Sequence, residues 1–246
     1  MFCPKIDLFF YFSYGIILIS FYRYSRLYLG GPDFMRIACR KGVNTMKITW
    51  HGHSCFSIDT ADGTVVLDPY QDGAVPGMPP LRLQADLVLC SHEHHDHNAR
   101  SVVTLSGKAC SVSVEAIPSW HDDTEGSKRG SNSIHVLSAE GLRIAHLGDL
   151  GCMLTEDQAA RLQGLDALLI PVGGYYTIDS EQALEIVRQL QPRVVIPMHY
   201  RFGSVGYDVI STIDLFRAKA PNPVDYSENF LTLTSDTKPQ TAFLHL

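Results

Sequence analysis

The amino-acid sequence predicts an α/β (α+β) domain, and three observations predict it. From Met46 onward, short runs rich in β-branched and aromatic residues are separated by Gly, Asp and Pro turns. Helical patterning with start signals is confined to a few segments, the clearest opening at Thr155 and Asp179. Histidines and aspartates stand directly after several apolar runs, where strand ends would carry them to one edge of a sheet.

The elements follow in order. Lys47–Trp50, Ser54–Asp59 and Thr64–Asp68 read as an antiparallel opening with a hairpin turn at Ala61-Asp62-Gly63. His53 and Asp68 lie at the edges of these strands, as a turn or cap, or as groups that orient a ligand histidine from behind. Residues 71–80, rich in Gly and Pro, form a surface loop. Leu87–Cys90 is a buried strand, Cys110–Ile117 another, and Ile134–Ser138 and Leu142–Leu147 flank a turn at Ala139-Glu140-Gly141. Thr155-Glu156-Asp157-Gln158 has capping-box spacing and opens a helix to about Gln163. Ala167–Ile170 is a strand. A second helix starts at Asp179, stops before Pro192 and turns Ala183, Ile186, Val187 and Leu190 to the core. Val194–Pro197 is a strand, and a third helix is expected over Asp208–Ala218. Strands near Phe230–Leu233 and Thr241–Leu244 complete the chain.

Composition bounds the function. The chain has 246 residues, 45% hydrophobic and 19% charged, which suits a globular protein of one large or two small domains. A net charge of −6 argues against a broad nucleic-acid-binding surface, although bound metal would add positive charge that this count omits. The six cysteines, Cys3, Cys39, Cys55, Cys90, Cys110 and Cys152, are scattered without a Cys-x-x-Cys pair and read as reduced, mostly buried thiols. That usage favours a cytoplasmic setting.

Residues 1–45 form an N-terminal extension to the domain at 46–246. The apolar, aromatic stretch from Leu8 to Tyr22 falls short of the roughly 20 residues of a spanning helix and lacks the marks of a secretory signal. Three readings stand beside one another. The extension is a short membrane anchor over residues 8–22 (not the favoured reading), a disordered segment, or an over-extended gene start with the native chain beginning at Met46.

The chemistry concentrates in Ser91-His92-Glu93-His94-His95-Asp96-His97, which contains His-x-His-x-Asp-His in His92, His94, Asp96 and His97. Burying these groups without partners would cost about 1–3 kcal/mol for each unsatisfied polar atom. A metal satisfies them together, since imidazole and carboxylate are ligands of zinc and its neighbours. The plain alternative is a solvated polar loop. His121, Asp149 and His199 each follow an apolar strand; alone, each would read as structural, a turn former or a helix cap. His51, His135 and His245 lack such company and read as structural or exposed.

This set and order resemble the metallo-β-lactamase fold superfamily, over essentially residues 46–246. Trp50-His51-Gly52-His53, Leu67-Asp68-Pro69 and Ile196-Pro197-Met198-His199-Tyr200 look like the metal-dependent hydrolases of the branch that includes ascorbate-phosphate lactonases. The resemblance implies a four-layer αββα sandwich, two mixed sheets with helices outside. It implies a first metal on His92, His94 and His121, a second on Asp96, His97 and His199, and Asp149 bridging both. Zinc is the first expectation for both ions, with Mn2+ or Fe2+ also compatible with His/Asp donors. Two such cations ionise a shared water into a nucleophile near neutral pH, with Asp96 and Asp149 as the catalytic carboxylates.

The expected function is hydrolysis of an ester, lactone or phosphoester in a small polar metabolite. The rivals are phosphodiesterase or nuclease action, and a non-catalytic metal-binding protein of the same fold. Only about fifty residues separate Asp149 from His199, and fewer than fifty follow His199. That leaves no room for the insertion domain of RNA-end-processing nucleases and little for the helical domain of glyoxalase II. Asp149 stands where true metallo-β-lactamases usually carry cysteine, which argues against antibiotic hydrolysis, and neither a flavodoxin-type partner domain nor flavodiiron electron transfer is expected. Arg129 and Asn132, in the loop after His121, and Arg201 are candidates for binding an anionic substrate group, the alternative being a solvated loop, and Tyr175 and Tyr176 either wall the pocket or cover the sheet ends. The expected partner is a small molecule, with no nucleic acid, and no membrane for residues 46–246.

Overall fold

A computed structural model describes residues 44–246. The readings of the N-terminal extension, and Cys3 and Cys39 with them, lie outside the described residues. The first strand, β1 (Thr45–Gly52), begins one residue before Met46 and pairs antiparallel with β2 (Cys55–Thr60). β2 pairs antiparallel with β3 (Gly63–Leu67) through the expected hairpin turn. The short β4 (Leu83–Ala85) precedes β5 (Leu87–Leu89), which runs parallel to β3. After a single 3-10 turn at Arg100–Val102, β6 (Val103–Leu105) pairs with β4. β5 is only partly buried, against the expectation of a buried strand, because it is an edge strand of its sheet.

The second half supplies β7 (Ser113–Trp120), β8 (Ser131–Ala139), β9 (Leu142–His146), α1 (Glu156–Arg161), β10 (Ala167–Pro171), α2 (Ser180–Leu190) and β11 (Val194–Met198). It ends with α3 (Asp214–Arg217), β12 (Pro223–Asp225), β13 (Phe230–Thr234) and β14 (Gln240–Phe243). One sheet has the order β13-β1-β2-β3-β5 and the other β12-β14-β11-β10-β9-β8-β7. β10 and β11 are buried at every position, as parallel strands covered on both faces require. β7 starts and ends three residues later than expected and contains Pro118, which an edge strand tolerates because one side of its backbone needs no partner.

A continuous core joins the inner faces of the two sheets, with Ile48, Phe56 and Ile58 from one and Ile117, Ile134 and Ile144 from the other. α2 adds Ala183, Leu184, Ile186 and Leu190 to it. The outer face of the first sheet is covered by the irregular segment that carries Tyr70, Val75, Met78 and Leu81. Both α1 and α2 start at complete capping boxes, on Thr155 with Gln158 and on Asp179 with Gln182.

The helix expected over Asp208–Ala218 shrinks to the four residues of α3. Its first half is engaged elsewhere: Ser211 donates its N–H to the Gly173 carbonyl at 2.8 Å and its carbonyl accepts the Arg201 N–H at 3.0 Å. Those groups fasten two loops together and are not available to a helical ladder. No helix among the described residues is long and apolar enough to cross a membrane.

Strand polarity decides where the chemistry gathers. β1 and β3 each pair antiparallel with β2, and β5 is parallel to β3, so all three end at the same edge of the first sheet. They release His53, Asp68 and the His-rich loop. In the second sheet β7 and β9 flank β8 antiparallel, and β10 and β11 follow β9 in parallel, so β7, β9 and β11 end together as well. They release His121, Asp149 and His199.

Candidate metal centre

Several of these strand exits are conformationally unusual. His53, Asp68 and His199 have left-handed backbones, with φ of 51°, 45° and 53°. Such a conformation costs a non-glycine residue about 1–3 kcal/mol and persists where surrounding contacts determine it. Here they do: the His53 carbonyl accepts the N–H of His199 at 3.2 Å and the indole N–H of Trp50 at 3.0 Å. Gly148 lets the turn into Asp149 pass the His-rich loop, since a Cβ there would lie 2.4 Å from both the Ser91 Cβ and the Asn132 side-chain oxygen.

All seven residues proposed as ligands meet at this edge. Ligand atoms of His92, His94 and His121 lie within 4.8 Å of one another, and so do those of Asp96, His97, His199 and His53. Asp149 Oδ2 lies between the groups, 3.2 Å from His97 Nε2, 3.4 Å from His121 Nε2 and 3.2 Å from His199 Nε2.

The chemistry of these atoms fits a metal. His92 Nε2, His97 Nε2, His121 Nδ1, both ring nitrogens of His199 and Asp149 Oδ1 are buried without a hydrogen-bond partner. On His97, Nδ1 donates to Asp68 Oδ2 at 2.8 Å, which leaves the neutral ring with an Nε2 lone pair aimed at Asp149 and Asp96. Acceptors facing acceptors in a buried site repel unless a cation or a proton lies between them. His97 carries the same signature electrostatically: burial opposes its charged form, yet Asp149, Asp68 and Asp96 outweigh burial and lift its pKa well above the ordinary value. Burial, reinforced by neighbouring His97, lowers His92 to about 3, and burial with His199 lowers His53 to about 4. Burial would raise Asp149, but His199 and His97 hold it well below the carboxylate range. Metal binding needs neutral imidazoles and ionised carboxylates, the states of His92, His53 and Asp149, and a cation at His97 would take the place of its proton.

Behind the donors lies a supporting set. Asp68, fully buried, accepts from the Ser91 N–H at 2.6 Å and the Ser91 hydroxyl at 2.5 Å as well as from His97. Ser91 Oγ also lies 2.9 Å from His92 Nδ1, so the rings of His97 and His92 are both oriented from one carboxylate. His53 Nε2 lies 3.3 Å from Asp96 Oδ2, and the Tyr207 hydroxyl lies 3.1 Å from the same oxygen.

The substrate-facing candidates divide. Arg129 and Tyr176 line a cavity of about 490 Å3 together with His94, Asp96, Asp149 and His199. Asn132 does not reach it. Its side chain is buried, donates to Ser119 Oγ and the Leu147 carbonyl, and accepts the Asp149 N–H at 3.0 Å, so it braces the Asp149 turn. Arg201 folds back to donate to the Gly203 carbonyl, and Tyr175 stands outside the cavity, exposed and edge-on to Tyr176. Tyr207 and Ser91, which touch the candidate ligands Asp96 and His92, are neighbours that sequence reasoning passed over. Ser91 had a signal in its place between the strand and the first histidine; Tyr207 had none.

Known proteins resemble this chain in sequence and in fold. The sequence profile of the beta-lactamase superfamily domain matches residues 47–199. A UPF0173 metal-dependent hydrolase of Thermoplasma acidophilum is 27% identical over 72% of this chain and 88% of its own length. Another, of Archaeoglobus fulgidus, is 29% identical over 63% of this chain and 83% of its own. Among solved structures, a candidate Zn-dependent hydrolase of the metallo-beta-lactamase superfamily from Thermotoga maritima superposes with a TM-score of 0.62 at 28% identity, covering 81% of this chain and 98% of that one.

Proposed function

The chain belongs to the beta-lactamase superfamily domain family as a metal-dependent hydrolase, and from that premise we propose a dinuclear enzyme acting on an ester, lactone or phosphoester of a small polar metabolite. His92, His94 and His121 would hold one ion and Asp96, His97 and His199 the other, with Asp149 between them. The nitrogen-rich donor set suits zinc first, and Mn2+ or Fe2+ next. When bound, such a pair lowers the pKa of water into the neutral range and polarises the substrate oxygen.

The observation that carries this reading is Asp149 Oδ2 lying within 3.4 Å of three imidazole nitrogens from three separate chain segments. Asp68 and Ser91 hold the rings of His97 and His92, and Asn132 holds the turn that presents Asp149. Asp96 lines the cavity with its Oδ2 fixed by His53 and Tyr207, which suits it to accept a hydrogen bond from the attacking water. The cavity opens directly onto these donors, which favours a catalyst over a closed metal-binding protein. Arg129 is the one lysine or arginine lining it among the described residues, which favours a small molecule over nucleic acid. The unpaired state of Cys55, Cys90, Cys110 and Cys152 supports a cytoplasmic setting.

The test is a panel of lactones, thioesters and phosphodiesters offered to zinc- or manganese-loaded protein. Turnover of a lactone or ester is expected, reduced at least a hundredfold in D149A. Loaded protein that hydrolyses no member of the panel contradicts the proposal.

A further inference from the structure

The cavity holds a cation that the metal chemistry does not use. Arg129 lines it, and no carboxylate among the described residues pairs with its guanidinium, whereas the neighbouring Lys128 pairs with Asp123 at 2.8 Å. The acids of the cavity are already engaged. Glu93 is held by Arg100 at 2.9 Å, Asp96 by His53 and Tyr207, and Asp149 by imidazoles. Arg129 instead lies over the ring of Tyr176, 5.6 Å from its centroid.

The segment that carries this arginine is built to a fixed shape. Asp122 accepts the backbone N–H groups of Thr124 and Gly126 at 2.9 Å, Lys128 at 3.0 Å and Arg129 itself at 2.7 Å. Gly130 closes the loop onto the Gly126 carbonyl at 2.9 Å, and His121 donates its N–H to the Gly130 carbonyl at 3.1 Å. Asp122 directly follows His121, so the loop that presents the cation is tied at both ends to a candidate metal ligand. A guanidinium offers a planar fork of donors matched to carboxylate or phosphate, and a partly covered one with no acid partner has that capacity to spare.

We propose that Arg129, backed by Tyr176, forms a subsite for an anionic group, a carboxylate or a phosphate, that the substrate carries apart from the bond to be cut. The proposal rests on the hydrolase reading of the same cavity. It narrows the substrate class to acidic metabolites.

Calorimetric titration with butyrate, glutarate and 3-phosphonopropionate tests it, on protein with and without zinc. Glutarate and 3-phosphonopropionate carry a second anionic group at the far end, and each is expected to bind about tenfold more tightly than butyrate. R129A should bring both down to the affinity of butyrate. R129K, which keeps the charge and loses the fork, should retain part of the gain. D122N, which loosens the loop, should reduce it. A preference between the two dianions that disappears in R129A supports the subsite, and one that persists in R129A counts against it. Absence of the gain in the wild type, or its survival in R129A, overturns the subsite. Failure of the hydrolase reading shows separately, as zinc-loaded protein inactive on the substrate panel.

Discussion

Asp68 Oδ2 and His97 Nδ1 meet at 2.8 Å with neither side chain exposed, although 29 positions separate them in the chain. The carboxylate fixes which ring nitrogen carries the proton and turns the other toward Asp149 and Asp96. Removing such a carboxylate typically lowers metal affinity 10–100-fold. D68A is expected to lose about that much at the His97 side, measured by competition with a chromophoric chelator. Unchanged affinity for both ions would show that Asp68 serves the fold alone.

His53 is expected to act through Asp96. Its Nε2 lies 3.3 Å from Asp96 Oδ2, and its ring packs against His199 with centroids 4.1 Å apart. H53A should weaken one of two zinc-binding steps by roughly tenfold, and H53Q, which keeps a donor, should recover part of it. The stepwise constants from calorimetry decide the matter: an equal loss in both steps, or none in either, counts against this role.

Acid should destabilise the metal-free protein well before its carboxylates titrate. His51, His53, His92, His121, His135 and His146 all have pKa values lowered in the fold, each chiefly by burial. Below about pH 6.5 the unfolded chain binds protons at these sites that the folded chain refuses, so stability present above that pH is lost toward pH 3–4. His97 works in the opposite sense: its pKa is raised, and its contribution, complete below pH 6.5, fades as the pH rises through the raised value. Six groups against one predict a falling melting temperature from pH 6.5 to 4.5 by circular dichroism. A flat or rising profile over that interval would falsify the assignment of neutral buried imidazoles.

Asn132 should prove structural. N132A removes two donors and the acceptor of the Asp149 N–H in a buried place, with an expected loss of about 1–3 kcal/mol in urea unfolding. A substrate-contact residue would instead raise KM and leave the unfolding midpoint where it was.

The strand ends were legible because each candidate ligand stands at the end of an apolar run, and the parallel relation of those strands then brings them to one edge. The two capping boxes were legible for the same local reason. Tyr207 was not. It reaches Asp96 because the segment after His199 is laced to Gly173 and Arg201 by its backbone, while its side-chain pattern looks helical. Asn132 and Arg201 sit in polar, loop-like sequence, and only packing shows that one is buried under Asp149 and the other turned back on Gly203. The three-residue strands β4, β6 and β12 are too short to carry a period.

The central claim, that residues from both sheets converge on a pair of cations, is tested most directly by metal content per chain. Protein loaded with zinc, desalted and assayed by inductively coupled plasma mass spectrometry is predicted to hold two ions per chain, and fewer in D149N. A wild type retaining only traces of metal, or a D149N protein that retains both ions as tightly, would contradict it.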